Sequence, residues 1–156
     1  ADHPQIVVNS TKGKYAGRIY VSVMNGIRQL VVSRSEDGGR TYPKTVNVPN
    51  PRGVWKLNGN PLVLTDGTLF VPYVAWDDTG SKQTKQTEIE FVISNDGGDT
   101  FNNPQKIGVM GFKRFNEPKD LREYIARTSY PHFAVSPIDD SIYSVWSDDS
   151  SGVYRV

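Results

Sequence analysis

The chain contains no cysteine in its 156 residues. That excludes disulfides and thiolate metal sites, although it does not choose a compartment. Charge of either sign is not in excess: 18 Lys and Arg against 17 Asp and Glu leave a formal net charge of +1. Without a basic tract there is no electrostatic footprint for nucleic acid or an anionic membrane surface. No apolar run approaches the length of a membrane span. No signal peptide is visible either, since Ala1-Asp2-His3-Pro4 passes almost at once into Gln5-Ile6-Val7-Val8. This is the expectation for a mature or trimmed chain. Helix-length apolar periodicity is scarce. What the chain does have is 14 Gly and 10 Pro among short runs of Val, Thr, Tyr and Trp. That composition and length point to a soluble all-β domain with a sizeable core.

One octapeptide occurs twice. Ser35-Glu36-Asp37-Gly38-Gly39-Arg40-Thr41-Tyr42 returns as Ser94-Asn95-Asp96-Gly97-Gly98-Asp99-Thr100-Phe101, and the starts lie 94 − 35 = 59 residues apart. An internal repeat at that spacing is foremost a statement about architecture. Each copy reads as a hairpin turn. The Asp can bond its own backbone, two glycines accept positive φ, and the hydroxyls satisfy turn groups. Strand-like sequence precedes each copy (Gln29-Leu30-Val31-Val32 and Glu90-Phe91-Val92-Ile93) and an extended stretch follows it. Ser35, Asp37, Gly38, Gly39, Thr41, Tyr42, Ser94, Asp96, Gly97, Gly98, Thr100 and Phe101 are therefore read as structural. A calcium loop would need more carboxylates than one such turn offers, and no metal or other cofactor is expected.

A larger unit surrounds each copy. Pro4, Pro61 and Pro131 each open a first strand, where a proline removes no ladder bond. A turn and a second strand follow, through Ile19–Val23, Leu69–Trp76 and Ile142–Trp146. The distance from proline to octapeptide is 35 − 4 = 31 in the first unit and 94 − 61 = 33 in the second. Two four-stranded units over 4–51 and 61–112 are expected, with a partial third over 131–156 and a short third strand over 152–156. A third octapeptide is expected about 32 residues after Pro131. The inserted segment 112–130 carries a short helix near 117–126, capped by Asn116 with Glu117-Pro118 in its first turn.

These octapeptides resemble the Asp-box, or BNR repeat, of sialidases and related β-propellers, and the likeness extends over two boxes and the strands around them. The resemblance implies an incomplete propeller ring of about two blades and most of a third. The remaining blades would come from a longer chain or from other copies, because an open ring leaves unpaired edges. It implies a secreted, periplasmic or cell-surface protein that engages carbohydrate, as a glycoside hydrolase or as a non-catalytic propeller module binding a glycan or a protein. In such propellers the boxes lie on the rim away from the ligand. The other face would carry Asn50–Asn60, Asp77–Glu88 and Phe112–Tyr130. There Trp55 and Tyr130 are candidates to stack on sugars, Arg114 and Arg127 to hold a carboxylate, and Asp77 and Glu117 to act as acid or base. Tyr130 and His132 flank Pro131 at the expected channel mouth. Against each stands the plainer reading of a solvated loop residue. Arg18-Ile19 is followed by Tyr20 where the sialidase motif has proline, so its arginine role is not carried over. No catalytic set is assigned within the chain.

Overall fold

The computed structural model describes residues 2–26, 29–76, 85–112, 130–146 and 148. Across them the chain is all-β, with antiparallel sheets. Among the described residues there is no helix, and none long and apolar enough to cross a membrane. The expected helix near 117–126 and the expected strand over 152–156 lie outside the described residues. No closed barrel or ring is present among those described.

The first unit is a meander of β1 (Asp2–Val8), β2 (Ile19–Met24), β3 (Leu30–Ser35) and β4 (Lys44–Asn47), paired in chain order. The second has β5 (Trp55–Asn58) and β6 (Leu62–Val63) side by side along β7 (Leu69–Trp76), followed by β8 (Lys85–Ser94) and β9 (Gln105–Phe112). The third is the hairpin of β10 (His132–Val135) and β11 (Ile142–Val145).

The second unit begins earlier than its sequence suggests. Trp55–Asn58, expected in a connecting loop, is a strand paired with Tyr73–Trp76. Its alternation is inverted: Lys56 and Asn58 are the buried positions and Trp55 and Leu57 are half-buried. Two polar side chains on the enclosed face disguise a strand as a loop.

Pro72 explains why β5 and β6 are separate. It is fully buried on a central strand, where its missing N–H would ordinarily break a ladder. Gly59 donates its amide to the Pro72 carbonyl at 2.9 Å. The register then slips by one residue between Asn58↔Tyr73 and Leu62↔Phe70. A bulge is where a sheet tolerates proline. β1 has an irregularity at the equivalent place, between Asp2↔Met24 and Gln5↔Ser22, just before Pro4.

Two apolar seams form the core. Between the first and second units, Tyr20, Leu30, Val32 and Val48 meet Leu69, Val71, Tyr73 and Val92. Between the second and third, Phe70, Val74, Ile89 and Met110 meet Phe133, with Val135 and Trp146 packed alongside. β7 is buried along nearly its whole length because it contributes to both seams.

Candidate functional site

The two box turns are built alike. In the first, Ser35 donates its hydroxyl to Asp37 Oδ1 at 2.7 Å and accepts the Gly39 amide at 2.9 Å. The Thr41 amide and hydroxyl both donate to the Asp37 carboxylate, at 2.9 and 2.6 Å. Ser94, Asp96, Gly98 and Thr100 repeat these bonds. All four glycines have positive φ, at 73° and 88° in the first turn and 72° and 84° in the second. The Thr41 hydroxyl, followed by its amide and the Ser35 hydroxyl, holds Asp37 down at a pKa of about 2. The repeated Ser, Asp and Thr side chains of both turns bond within the turn.

The second box also joins the neighbouring unit, through Gly97 and Asp99. Gly97 presents its carbonyl to Arg18 at 2.9 Å and Arg34 at 3.2 Å across the seam. Asp99 pairs with Arg34 at 2.9 Å and with Lys44, while Glu36 pairs with Arg18 at 2.6 Å. At this same end, the turns after the first strands surround an open cavity of about 450 Å³, lined in part by Thr11, Thr65, Ser136 and Asp140.

The register puts the opposite end of each sheet where the first strands begin, and there the three units converge. Asn58 donates Nδ2 to the His3 carbonyl at 2.6 Å and to the Ser22 carbonyl at 3.1 Å. Asn60 clasps Phe133 of β10 twice, giving Nδ2 to its carbonyl at 2.7 Å and accepting its amide at 2.9 Å. The imidazole of His3 stands edge-on to the Tyr130 ring, with centroids 5.1 Å apart and planes at 63°. His3 has φ 49°, and bulges of this kind re-aim side chains. The result is a pairing of His3 and Tyr130 flanked by two asparagines, Asn58 bonded to His3 and Asn60 to Phe133, with His132 opening β10 beside them in sequence. His3 and His132 are exposed and Tyr130 is half-buried.

Tyr130 and His132 were expected at a channel mouth; the structure places Tyr130 beside His3 and His132 at the start of β10. Trp55 opens β5 at this same end of the second unit, where it stacks on Trp76 at 6.1 Å and 16°. Asp77, Arg114, Glu117 and Arg127 lie outside the described residues. Sequence reasoning missed His3, Asn58 and Asn60. A signal existed for two of them, because each unit places a chosen residue directly before its opening proline: His3, Asn60 and Tyr130.

A charged cluster was also missed, at the first seam. Lys56 is 0% exposed. Its ammonium donates to the Pro49 carbonyl and lies over the Tyr73 ring at 4.2 Å. Burial pushes its pKa down to about 8, with Glu90 pulling the other way. Burial, then Glu90, raises the Tyr73 phenol, which therefore stays protonated. Arg52 closes the cluster over Glu90 and over Glu88, the latter at 2.6 Å; Lys106 reaches Glu88 at 3.0 Å. The Lys106 and Arg52 hydrogen bonds lower the Glu88 pKa. Both carboxylates are held by cations.

Among the described residues no group of three or more His, Cys, Asp or Glu is placed to hold a metal. The sequence matches no protein-family model and no curated protein.

Proposed function

We propose that the chain is part of a sialidase-like Asp-box β-propeller that engages a carbohydrate at the end where its first strands begin, in the service of a glycoside hydrolase. The observation that carries this reading is the convergence of three unit starts on His3 and Tyr130, braced by Asn58 and Asn60. An aromatic ring beside an imidazole and amides suits a sugar, whose C–H face packs on rings and whose hydroxyls exchange hydrogen bonds. The box turns support the same reading from the other end, since their Ser, Asp and Thr side chains are engaged within the turns and Gly97 and Asp99 with the neighbouring unit. A secreted, periplasmic or surface location belongs to the proposal through the family resemblance alone.

A non-catalytic propeller that binds a glycan or protein is the second reading. It is favoured by the commitment of Glu88 and Glu90 to cations. A panel of sialosides and arabinosides, assayed for both binding and turnover, separates the two. Turnover, with binding weakened about tenfold by Tyr130→Ala, supports the hydrolase. Binding without turnover selects the second reading. Neither binding nor turnover would sink both.

A further inference from the structure

Asparagine followed by glycine is a chemically labile step, and the chain has two of them, Asn25-Gly26 and Asn58-Gly59. The backbone nitrogen after an asparagine can reach that residue's own side-chain carbonyl carbon and close a five-membered imide ring. A following side chain crowds the attacking nitrogen, and glycine has none. Ring closure further requires that the carboxamide can swing, that the nitrogen is not held by an acceptor, and that water has access.

The fold treats the two steps oppositely. Asn58 is 4% exposed, and its Nδ2 donates to the His3 carbonyl at 2.6 Å and the Ser22 carbonyl at 3.1 Å. The Gly59 amide donates to the Pro72 carbonyl at 2.9 Å. The Phe133 and Pro72 side chains stand 3.2 and 3.3 Å from where a Cβ on Gly59 would be, so the backbone there has no room to turn. Asn25 and Gly26 are exposed, just after β2. The Asn25 amide donates to the Gln29 carbonyl at 2.8 Å and closes the turn to β3. Among the described residues nothing hydrogen-bonds to the Asn25 carboxamide or the Gly26 amide. Gly26 has φ 72°, and a Cβ there would meet nothing within 4 Å.

The three Asp-Gly steps, 37–38, 66–67 and 96–97, could close the same ring. Their carboxylates are engaged instead: Asp37 and Asp96 inside the boxes, and Asp66 with the Thr68 amide at 2.8 Å. An ionised carboxylate is also a poor electrophile.

We propose that Asn25 is a site of self-modification, converted to isoaspartate and aspartate through a succinimide. The Gly26 nitrogen bonds to Asn25 Cγ, and its proton passes through water to the departing amide. The Cγ–Nδ2 bond breaks and ammonia leaves. One water then opens the ring, and nothing is oxidised or reduced. Opening at the backbone carbonyl gives isoaspartate, and opening at Cγ gives aspartate. Either product adds one negative charge to a chain of formal net charge +1. Isoaspartate also lengthens the backbone by a methylene inside the turn. The pairing Asp2↔Met24 puts this change at the same end of the first unit as His3. The inference rests on the two glycine steps and not on the carbohydrate reading, so either can fail without the other.

The test is peptide mapping by mass spectrometry, able to separate isoaspartate from aspartate, after holding the protein at mildly alkaline pH. The acidic forms should appear at Asn25 at least about tenfold faster than at Asn58, the factor that one hydrogen bond of ordinary strength contributes. Isoaspartate should be among the products. In urea sufficient to unfold the chain, the two steps should converge to similar rates, because only the fold distinguishes them. Asn25→Gln, confirmed folded by circular dichroism, should lose the isoaspartate at this turn, since the six-membered ring it needs closes far more slowly. Equal rates in the folded protein would overturn the proposal. So would a difference that survives in urea, aspartate without isoaspartate, or an undiminished isoaspartate yield at this turn in Asn25→Gln.

Discussion

Asp37 and Asp96 are surface carboxylates whose ionised form the fold favours, which sets the direction of the acid response. Desolvation opposes ionisation of Asp96, but the hydroxyl and amide of Thr100 and the Ser94 hydroxyl overcome it and lower its pKa below 3.8. A depressed carboxylate contributes stability above its unfolded pKa and loses it as pH falls through the folded value. Both turns should therefore weaken from about pH 4 down to about pH 2 and below. Asp96→Asn should cost roughly 1–2 kcal/mol at neutral pH and flatten this acid limb in urea unfolding. An unchanged limb would contradict the hydrogen-bond account. Lys56 gives the opposite slope on the alkaline side. Its folded pKa of about 8 lies below the usual 10.5, so the unfolded chain binds the proton more strongly between those values. Stability then rises with pH from about 8 towards 10, by an order-of-magnitude ~2 kcal/mol. Above 10.0 the buried phenols of Tyr73 and Tyr20, whose pKa values burial raises, reverse the trend. Lys56→Met should remove the rise and leave the fall; a rise that persists in the variant must come from another group.

Equivalent turns in different surroundings separate local strain from docking. Gly38 and Gly97 have nearly the same φ, 73° and 72°. A Cβ on Gly38 meets nothing within 4 Å, whereas one on Gly97 falls 2.3 Å from Arg18 Nη1 and 2.6 Å from the Tyr15 ring. Gly38→Ala should cost about 1–2 kcal/mol for the left-handed backbone. Gly97→Ala should cost that and roughly 1–3 kcal/mol more, because the Arg18 and Tyr15 side chains of the neighbouring unit must move aside. Equal urea midpoints for the two variants would show that the second turn is not a docking element. The same pair shows what the sequence makes legible. The box is read directly, because Ser, Asp, Gly-Gly and Thr are each required by local turn geometry. The docking is not, because it depends on Arg18, Arg34 and Asp99 meeting across 63 residues or more. β5 was hidden for a related reason. Lys56 and Asn58 occupy its enclosed face, one lodged against Tyr73 and Pro49 and the other against His3 and Ser22, so no apolar alternation marks the strand. Tyr130 and His132 were legible because they flank a unit-opening proline, but Asn60 becomes meaningful only once Phe133 is seen opposite it.

At the scale of the whole molecule, the third unit is the one most dependent on its neighbours. Among the described residues it contributes a two-stranded hairpin, and isolated hairpins are marginal in water. Phe133, Val135 and Trp146 give it one apolar face on the second unit. Two polar clasps fix its ends. At the strand-start end Asn60 takes both backbone groups of Phe133. At the box end Asp140 accepts the Thr65 amide at 2.8 Å and its hydroxyl at 2.5 Å. The clasps lie at opposite ends of one short element, so loss of either lets the hairpin pivot while the first seam stays packed. Regions with few buried contacts open locally at less than the global cost. Asn60→Ala should therefore speed amide exchange in His132–Val135 and Ile142–Val145 by roughly ten- to a hundredfold, equivalent to about 1.4–3 kcal/mol of local stability. Protection in Leu69–Trp76 should be little changed. Asp140→Ala should loosen the same strands from the other end. If the convergence of His3 and Tyr130 is the carbohydrate site, Asn60→Ala should weaken binding more than Asp140→Ala does, because Asn60 braces that end directly. Exchange that rises equally in all three units would mean that the chain opens as a single cooperative body, and the division into separately held units would have to be abandoned.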